Sequence, residues 1–209
     1  MEEKIKVEIL SPFGPKLLKS KIPLSTIDFL NSAIDKLISE KALKSAGGEL
    51  VGQVTEEFYL PRELVDKTLR NPLNQFAKIY VHNAYKKETT VFEIKQCWIV
   101  RQYKNEYNPI HWHSGHISGV LYLKVPSNVG GHLQKNKKME SHGKIYFIHG
   151  SRQSFSQSLV KIAPSVGDIF MFPNYLMHTV YPFFESTEER RSLSFNCVVD
   201  DGIINETYA

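Results

Sequence analysis

Apolar residues follow two different periods in the two parts of this chain. In the first part they recur at helical spacing. Ile27, Leu30, Ile34, Leu37 and Ile38 form one stripe after Ser25, and Leu64, Leu69, Leu73, Phe76, Ile79 and Tyr80 form another across about residues 61–84. Ser25 followed by Asp28 supplies an N-cap signal for the first helix, and Gly47-Gly48 marks a stop. Pro72 predicts a break in the second helix near Asn71. Ahead of both, residues 4–10 alternate and predict a half-buried strand, which SPFGP interrupts.

After Lys87 the pattern changes to short apolar runs separated by turn residues. The predicted strands are Val91–Tyr103, Ile117–Val125, Lys144–Ile148, Ser158–Ile162, Asp168–Phe172, His178–Tyr181 and Arg191–Val199. Many short strands without intervening helices predict a β sandwich or barrel, with the preceding helices packed on one face. Residues 127–157 are polar and loop-rich, long enough to act as a lid. The length suits a single domain, residues 1–90 giving a strand plus helical support and 91–200 the β core.

Composition narrows the function classes. Hydrophobic residues make up 42% and charged residues 23%, enough apolar material for a core. The net charge of +4 is spread along the chain, and the Lys135-Asn136-Lys137-Lys138 run reads as a solvated loop, which weighs against a nucleic-acid partner. Cys97 and Cys197 lie in apolar runs and are expected to be buried reduced thiols. The N-terminus lacks the apolar stretch of a signal peptide, and no run reaches the roughly 18 residues of a membrane helix, so a cytoplasmic location without membrane attachment is expected. Oligomeric state leaves no mark on the sequence.

The histidines carry the chemistry. Three of the eight fall within NPIHWHSGH, ahead of the strand ISGVLYLKV. In an extended segment residues two apart point to one face, so His111 and His113 can reach one ion. A catalytic metal needs a third protein ligand and open positions, and His178, in PNYLMHTVYP, is the best-placed candidate. Each of these histidines taken alone also suits a structural role. Downstream, EERRSLSFNC places Arg190, Ser192, Ser194 and Asn196 on one strand face and Leu193, Phe195 and Cys197 on the other. An inward Arg beside a hydroxyl suits a carboxylate. Surface ion pairs of Arg190 and Arg191 with Glu188 and Glu189 are the competing reading.

In this order, His111-Trp112-His113, His178 and Arg190-Arg191-Ser192 resemble the Fe(II)- and 2-oxoglutarate-dependent oxygenases. Those enzymes carry H-x-D/E…H ligands followed by an Arg-x-Ser that binds the far carboxylate of 2-oxoglutarate. The chain is most similar to a little-characterised bacterial and phage subfamily, over about residues 95–198. The resemblance implies a double-stranded β-helix (a mainly β, cupin-like jelly roll) with supporting N-terminal helices. It implies Fe(II) on His111, His113 and His178, and 2-oxoglutarate on Arg190, Ser192 and Tyr122, with Tyr103 as a second tyrosine of prolyl-hydroxylase-like members. It further implies O2 as reactant and a small-molecule or peptide substrate. His113 stands where the family has a carboxylate, which makes the metal centre more positive. His116 is a substitute ligand on type alone, but three residues from His113 does not fit a strand. A three-histidine cupin dioxygenase without 2-oxoglutarate, and a metal-binding jelly roll without catalysis, are the alternatives.

Overall fold

The computed structural model describes residues 14–130, 134, 136, 138 and 141–205; the alternating segment at 4–10 lies outside the described residues. Chain order is β1 (Leu18–Lys21), α1 (Leu24–Ser39), β2 (Glu56–Tyr59), α2 (Arg62–Thr68), α3 (Arg70–Tyr85), β3 (Glu93–Gln102), β4 (Asn108–His111) and β5 (Ile117–Lys124). It continues with β6 (Ile145–Ile148), β7 (Leu159–Ile162), β8 (Asp168–Pro173), β9 (Met177–Val180), β10 (Arg190–Val198) and α4 (Asp201–Asn205). One antiparallel sheet has the order β1-β8-β5-β10-β3-β2 and the other β4-β9-β6-β7. From β3 onward the chain passes back and forth between the two sheets. That exchange makes the double-stranded β-helix.

The seven strands predicted from short apolar runs between turn residues all form, each within two residues of its expected ends. β1, β2 and β4 were not predicted. Helix α1 starts at Leu24 with Pro23 rather than Ser25 at its cap, and ends at Ser39, well before Gly47. Lys41 takes a left-handed conformation (φ 54°) and turns the chain away. The second helical region divides at Leu69, and Pro72 sits in the first turn of α3. An amide there has no acceptor within the helix, so the missing N–H costs nothing. No helix among the described residues is long and apolar enough to cross a membrane.

The large sheet is covered on both faces, which is why β5 reads as an unbroken apolar run rather than an alternating one. Toward the helices, Ile99, Leu121, Leu193, Phe195 and Cys197 pack with Ile27, Leu30, Ile34 and Leu73. Toward the small sheet, Val120, Tyr122, Phe170 and Phe172 pack with Ile145 and Phe147. Cys97 and Cys197 are buried free thiols, as expected. Gly119 is required by this packing: a Cβ there would stand 2.2 Å from Phe195 Cζ.

The helices are also tied to the sheet by charge. Arg191 is fully buried on the helix side of β10. Its Nε donates to Glu189 Oε1 at 2.7 Å, its Nη2 reaches Asp35 Oδ1 on α1 at 2.5 Å, and its Nη1 donates to Asn31 Oδ1 at 3.2 Å. Glu189 also accepts from Arg101 Nε at 2.7 Å and from Lys124 Nζ at 3.3 Å, and Arg101 pairs in turn with Glu56. The expected pairing of Arg191 with Glu189 is therefore real but buried, and Arg190 takes no part in it. Burial alone would raise the Glu189 carboxyl, but the hydrogen bonds from Arg101 and Arg191 hold it down at about 2.

Two outcomes follow. Removing the buried guanidinium in Arg191→Met leaves half-buried Glu189 short of one partner and should lower unfolding free energy by about 3 kcal/mol in urea titration. Because the Glu189 pKa is depressed on folding, its contribution is present above the unfolded carboxylate pKa of about 4.3 and is lost as pH falls toward about 2. Melting curves across that window should flatten in Glu189→Gln relative to the parent.

Candidate active site

The small sheet presents the histidines. β4 and β9 pair with His111 opposite His178. His113 follows β4 in a turn held against the Pro173-Asn174 turn: the His113 N–H donates to Asn174 O at 3.0 Å, and Asn174 Nδ2 donates to His113 O at 3.2 Å. Gly115 closes this turn at φ 85°, where a Cβ would stand 2.9 Å from Cys197 O. That conformation and that approach both call for glycine. His116 is turned elsewhere, accepting from the Val199 N–H at Nδ1 and facing Asp201 through Nε2 at 3.4 Å.

One ligand atom from each of His111, His113 and His178 lies within 4.8 Å of the others, and no other such cluster occurs among the described residues. His113 Nε2 and His178 Nε2 are 3.2 Å apart. Two nitrogens at about 2.1 Å from one ion and at right angles to each other would stand about 3 Å apart. The second nitrogens are committed: His111 Nδ1 donates to Pro109 O at 2.7 Å and His178 Nδ1 to Leu176 O at 2.9 Å. Those bonds fix tautomers whose Nε2 lone pairs are free for a metal. Burial lowers all three pKa values, His113 to about 4 and His178 to about 3, so the imidazoles are neutral ligands. The donor set fits a divalent first-row ion with coordination positions left open.

The large sheet supplies the opposite wall of a cavity of about 290 Å³. Cross-strand register orders that wall into rows. Tyr122, Ser192, Val100 and Glu57 lie side by side on β5, β10, β3 and β2, and Arg190 lies beside Gln102 one step along. Arg190 is 3% exposed, and its Nη1 donates to Gln102 Oε1 at 2.8 Å. Its guanidinium lies 4.9 Å from the centre of the Tyr122 ring. Neither Arg190 Nε nor the Tyr122 hydroxyl has a hydrogen-bond partner, and no carboxylate among the described residues pairs with Arg190. Burial raises the Tyr122 pKa, so its hydroxyl remains a donor.

His111, His113, His178, Arg190, Ser192 and Tyr122 therefore line one cavity. Tyr103 does not. Alternation along β3 sends Gln96, Trp98, Val100 and Gln102 inward, while Tyr103 follows Arg101 and lies 5.6 Å beneath its guanidinium on the far side. The inward neighbour is Gln102, whose contact with Arg190 the strand parity of β3 and β10 could have signalled. Trp98, Asn108, Glu57 and residues 49–52 also line the cavity and were not singled out from the sequence. The 127–157 segment lies partly outside the described residues, and of its described positions Ile145 alone lines the cavity.

Residues 96–196 match a family model described as "Putative 2OG-Fe(II) oxygenase". Among solved structures, a prolyl-4-hydroxylase from Pseudomonas putida is 16% identical with a TM-score of 0.56, over 86% of this chain and 91% of that one. HygX from Streptomyces hygroscopicus, with nickel and 2-oxoglutarate bound, is 11% identical with a TM-score of 0.58, over 88% and 82%. A prolyl hydroxylase from Trichoplax adhaerens, in complex with a hypoxia inducible factor peptide fragment, is 12% identical with a TM-score of 0.58, over 94% and 87%. At these identities the likeness is one of fold. No curated protein matches the chain.

If the three imidazoles bind one ion, His178→Ala should weaken Ni(II) binding about 100-fold in calorimetry. His113→Asp, which replaces one neutral ligand with a charged one, should retain tight binding.

Proposed function

We propose that the chain is an Fe(II)- and 2-oxoglutarate-dependent oxygenase, as the family model matching residues 96–196 supports, in which His111, His113 and His178 hold the iron and Arg190, Ser192 and Tyr122 hold the far carboxylate of 2-oxoglutarate. The observation that carries this reading is Arg190, a buried guanidinium without a counter-anion among the described residues. An isolated buried charge is costly, and a bound carboxylate is the partner that offsets it. Arg190 Nε and the Tyr122 hydroxyl, both unpartnered, are the donors such a carboxylate would accept from.

When bound, iron supplies the activation of O2 that couples oxidative decarboxylation of 2-oxoglutarate, to succinate and CO2, with oxidation of a substrate. The protein's own part is placement. Gln102 holds the Arg190 guanidinium through Nη1 and leaves Nε without a partner. Pro109 O and Leu176 O hold two imidazoles in ligating orientation. Phe172 packs edge-on against His178, with ring centres 4.8 Å apart, and keeps water from that side. Hydroxylation of a C–H bond in a small molecule or peptide is the reaction this arrangement suits. The same reading takes the chain as one unit in which the N-terminal helices brace the sheet, supported by the contact of buried Arg191 with Asp35 on α1.

Anaerobic protein given Fe(II) and then 2-oxoglutarate should develop a visible charge-transfer band as the cosubstrate chelates the metal. Arg190→Ala should raise the 2-oxoglutarate concentration for half-maximal band about 100-fold, the scale of losing a buried charge-assisted pair. Iron binding without a band, or an Arg190→Ala variant identical to the parent, would sink the assignment and favour a three-histidine dioxygenase that does not use 2-oxoglutarate.

A further inference from the structure

Beyond the row that carries Ser192, the large sheet ends in β2, and the charge on the cavity wall reverses there. Among the described residues lining the cavity, Arg190 is the cation, and the carboxylates are Glu49 and Glu57. Glu57 lies two strands from Ser192, a span of about 10 Å at ordinary strand spacing. It is 4% exposed, yet no cation or hydrogen-bond donor among the described residues reaches its carboxylate. Lys44 lies over the Tyr59 ring, 5.7 Å from its centre, and does not line the cavity.

The surroundings of Glu57 point the same way. A Cβ on Gly52 would stand 2.7 Å from both Glu57 Oε1 and Asn108 Oδ1, so two acceptor oxygens converge on one spot. Asn108 Oδ1 is also buried without a donor. Tyr59 and Trp98, neighbours across the strands, present aromatic surface beside them on the same face. Glu49 accepts from the Tyr59 hydroxyl at 2.7 Å and faces the same space. Acceptors without donors, two carboxylates and aromatic rings are the complement of an organic cation. Burial pushes the Glu57 carboxyl up to about 7, as expected for an acid lacking a partner.

We propose that Glu57, with Glu49 and Asn108, forms the substrate subsite of the cavity and takes a protonated amine or guanidinium of a small-molecule substrate. This rests on the oxygenase reading, since it treats the Arg190 end as occupied by cosubstrate. The arrangement places the cationic group of the substrate across the sheet from the cosubstrate carboxylate, and leaves the body of the substrate between them, facing the histidines.

The test uses anaerobic full-length protein loaded with Fe(II) and 2-oxoglutarate, with agmatine and cadaverine as probes and 1,5-pentanediol as the uncharged control. Binding is read by quenching of tryptophan fluorescence, because Trp98 lines the subsite. The expected result is saturable binding of a cationic probe, no comparable binding of the diol, and about tenfold weaker cation binding in Glu57→Gln. Equal affinity for diol and diamine, no cation binding, or an unchanged affinity in folded Glu57→Gln would overturn the proposal. If Glu57→Gln fails to fold, the comparison of cation with diol in the parent protein decides alone. The charge-transfer band is read first in that parent protein. A missing band with agmatine still bound refutes the oxygenase reading and spares the subsite; a normal band with agmatine ignored does the reverse.

Discussion

Strand alternation sends two adjacent arginines to opposite sides of one sheet, and much of the molecule is organised around that division. Arg191 points to the helices, where Glu189, Asp35 and Asn31 surround it. Arg190 points to the small sheet, where Gln102 accepts from it and the Tyr122 ring lies beneath it, with no carboxylate among the described residues. Two guanidiniums one residue apart, both buried, thus have opposite electrostatic states. One is a structural clamp, complete without any ligand. The other is incomplete by one anion. A register slip of one residue in β10 would exchange them, so the same packing of Leu193, Phe195 and Cys197 under the helices that holds the sheet also aims the site.

The same alternation explains which parts of the site were legible in the sequence. Within long strands, period two is visible, and the inward set Arg190, Ser192, Ser194 and Asn196 can be read directly from it. Tyr103 shows the failure: chosen by position along the chain, it falls on the outward parity of β3, and Gln102 is the residue beside Arg190. The helix boundaries differ from the expected ones at Pro23 instead of Ser25 and at Lys41, whose left-handed backbone ends the helix well before Gly47. Glu57 and residues 49–52 were invisible for a different reason. β2 has four residues, and only its pairing with β3 brings Glu57 to the cavity. Nothing in EEFY distinguishes buried Glu57 from half-buried Glu56.

The histidine pair was legible as a pair, but its quality as a ligand set depended on contacts far apart in sequence. Pro109 O and Leu176 O fix the tautomers, and the Asn174 turn positions His113. None of these backbone carbonyls carries a residue-type signature. Such contacts govern ligand orientation in metal sites generally.

If His113 ligates the metal as proposed, an imidazole in the place of a carboxylate has an electrostatic consequence for the rest of the cavity. With three neutral imidazoles the metal end is one unit more positive than with an aspartate ligand, and Arg190 adds to that positive field. A dianionic cosubstrate offsets part of it but leaves the site unfavourable for a cationic substrate. Negative charge placed on the protein wall reverses that penalty without occupying a coordination position. Glu57 is suited to this because it is buried, where the dielectric is low and a single carboxylate acts over a longer range than in water. The desolvation that raises its pKa is also what makes its charge effective once a cation arrives beside it. On this argument the unusual ligand and the unpartnered glutamate belong to one charge distribution, in which a carboxylate absent from the metal shell reappears two strands away from Ser192.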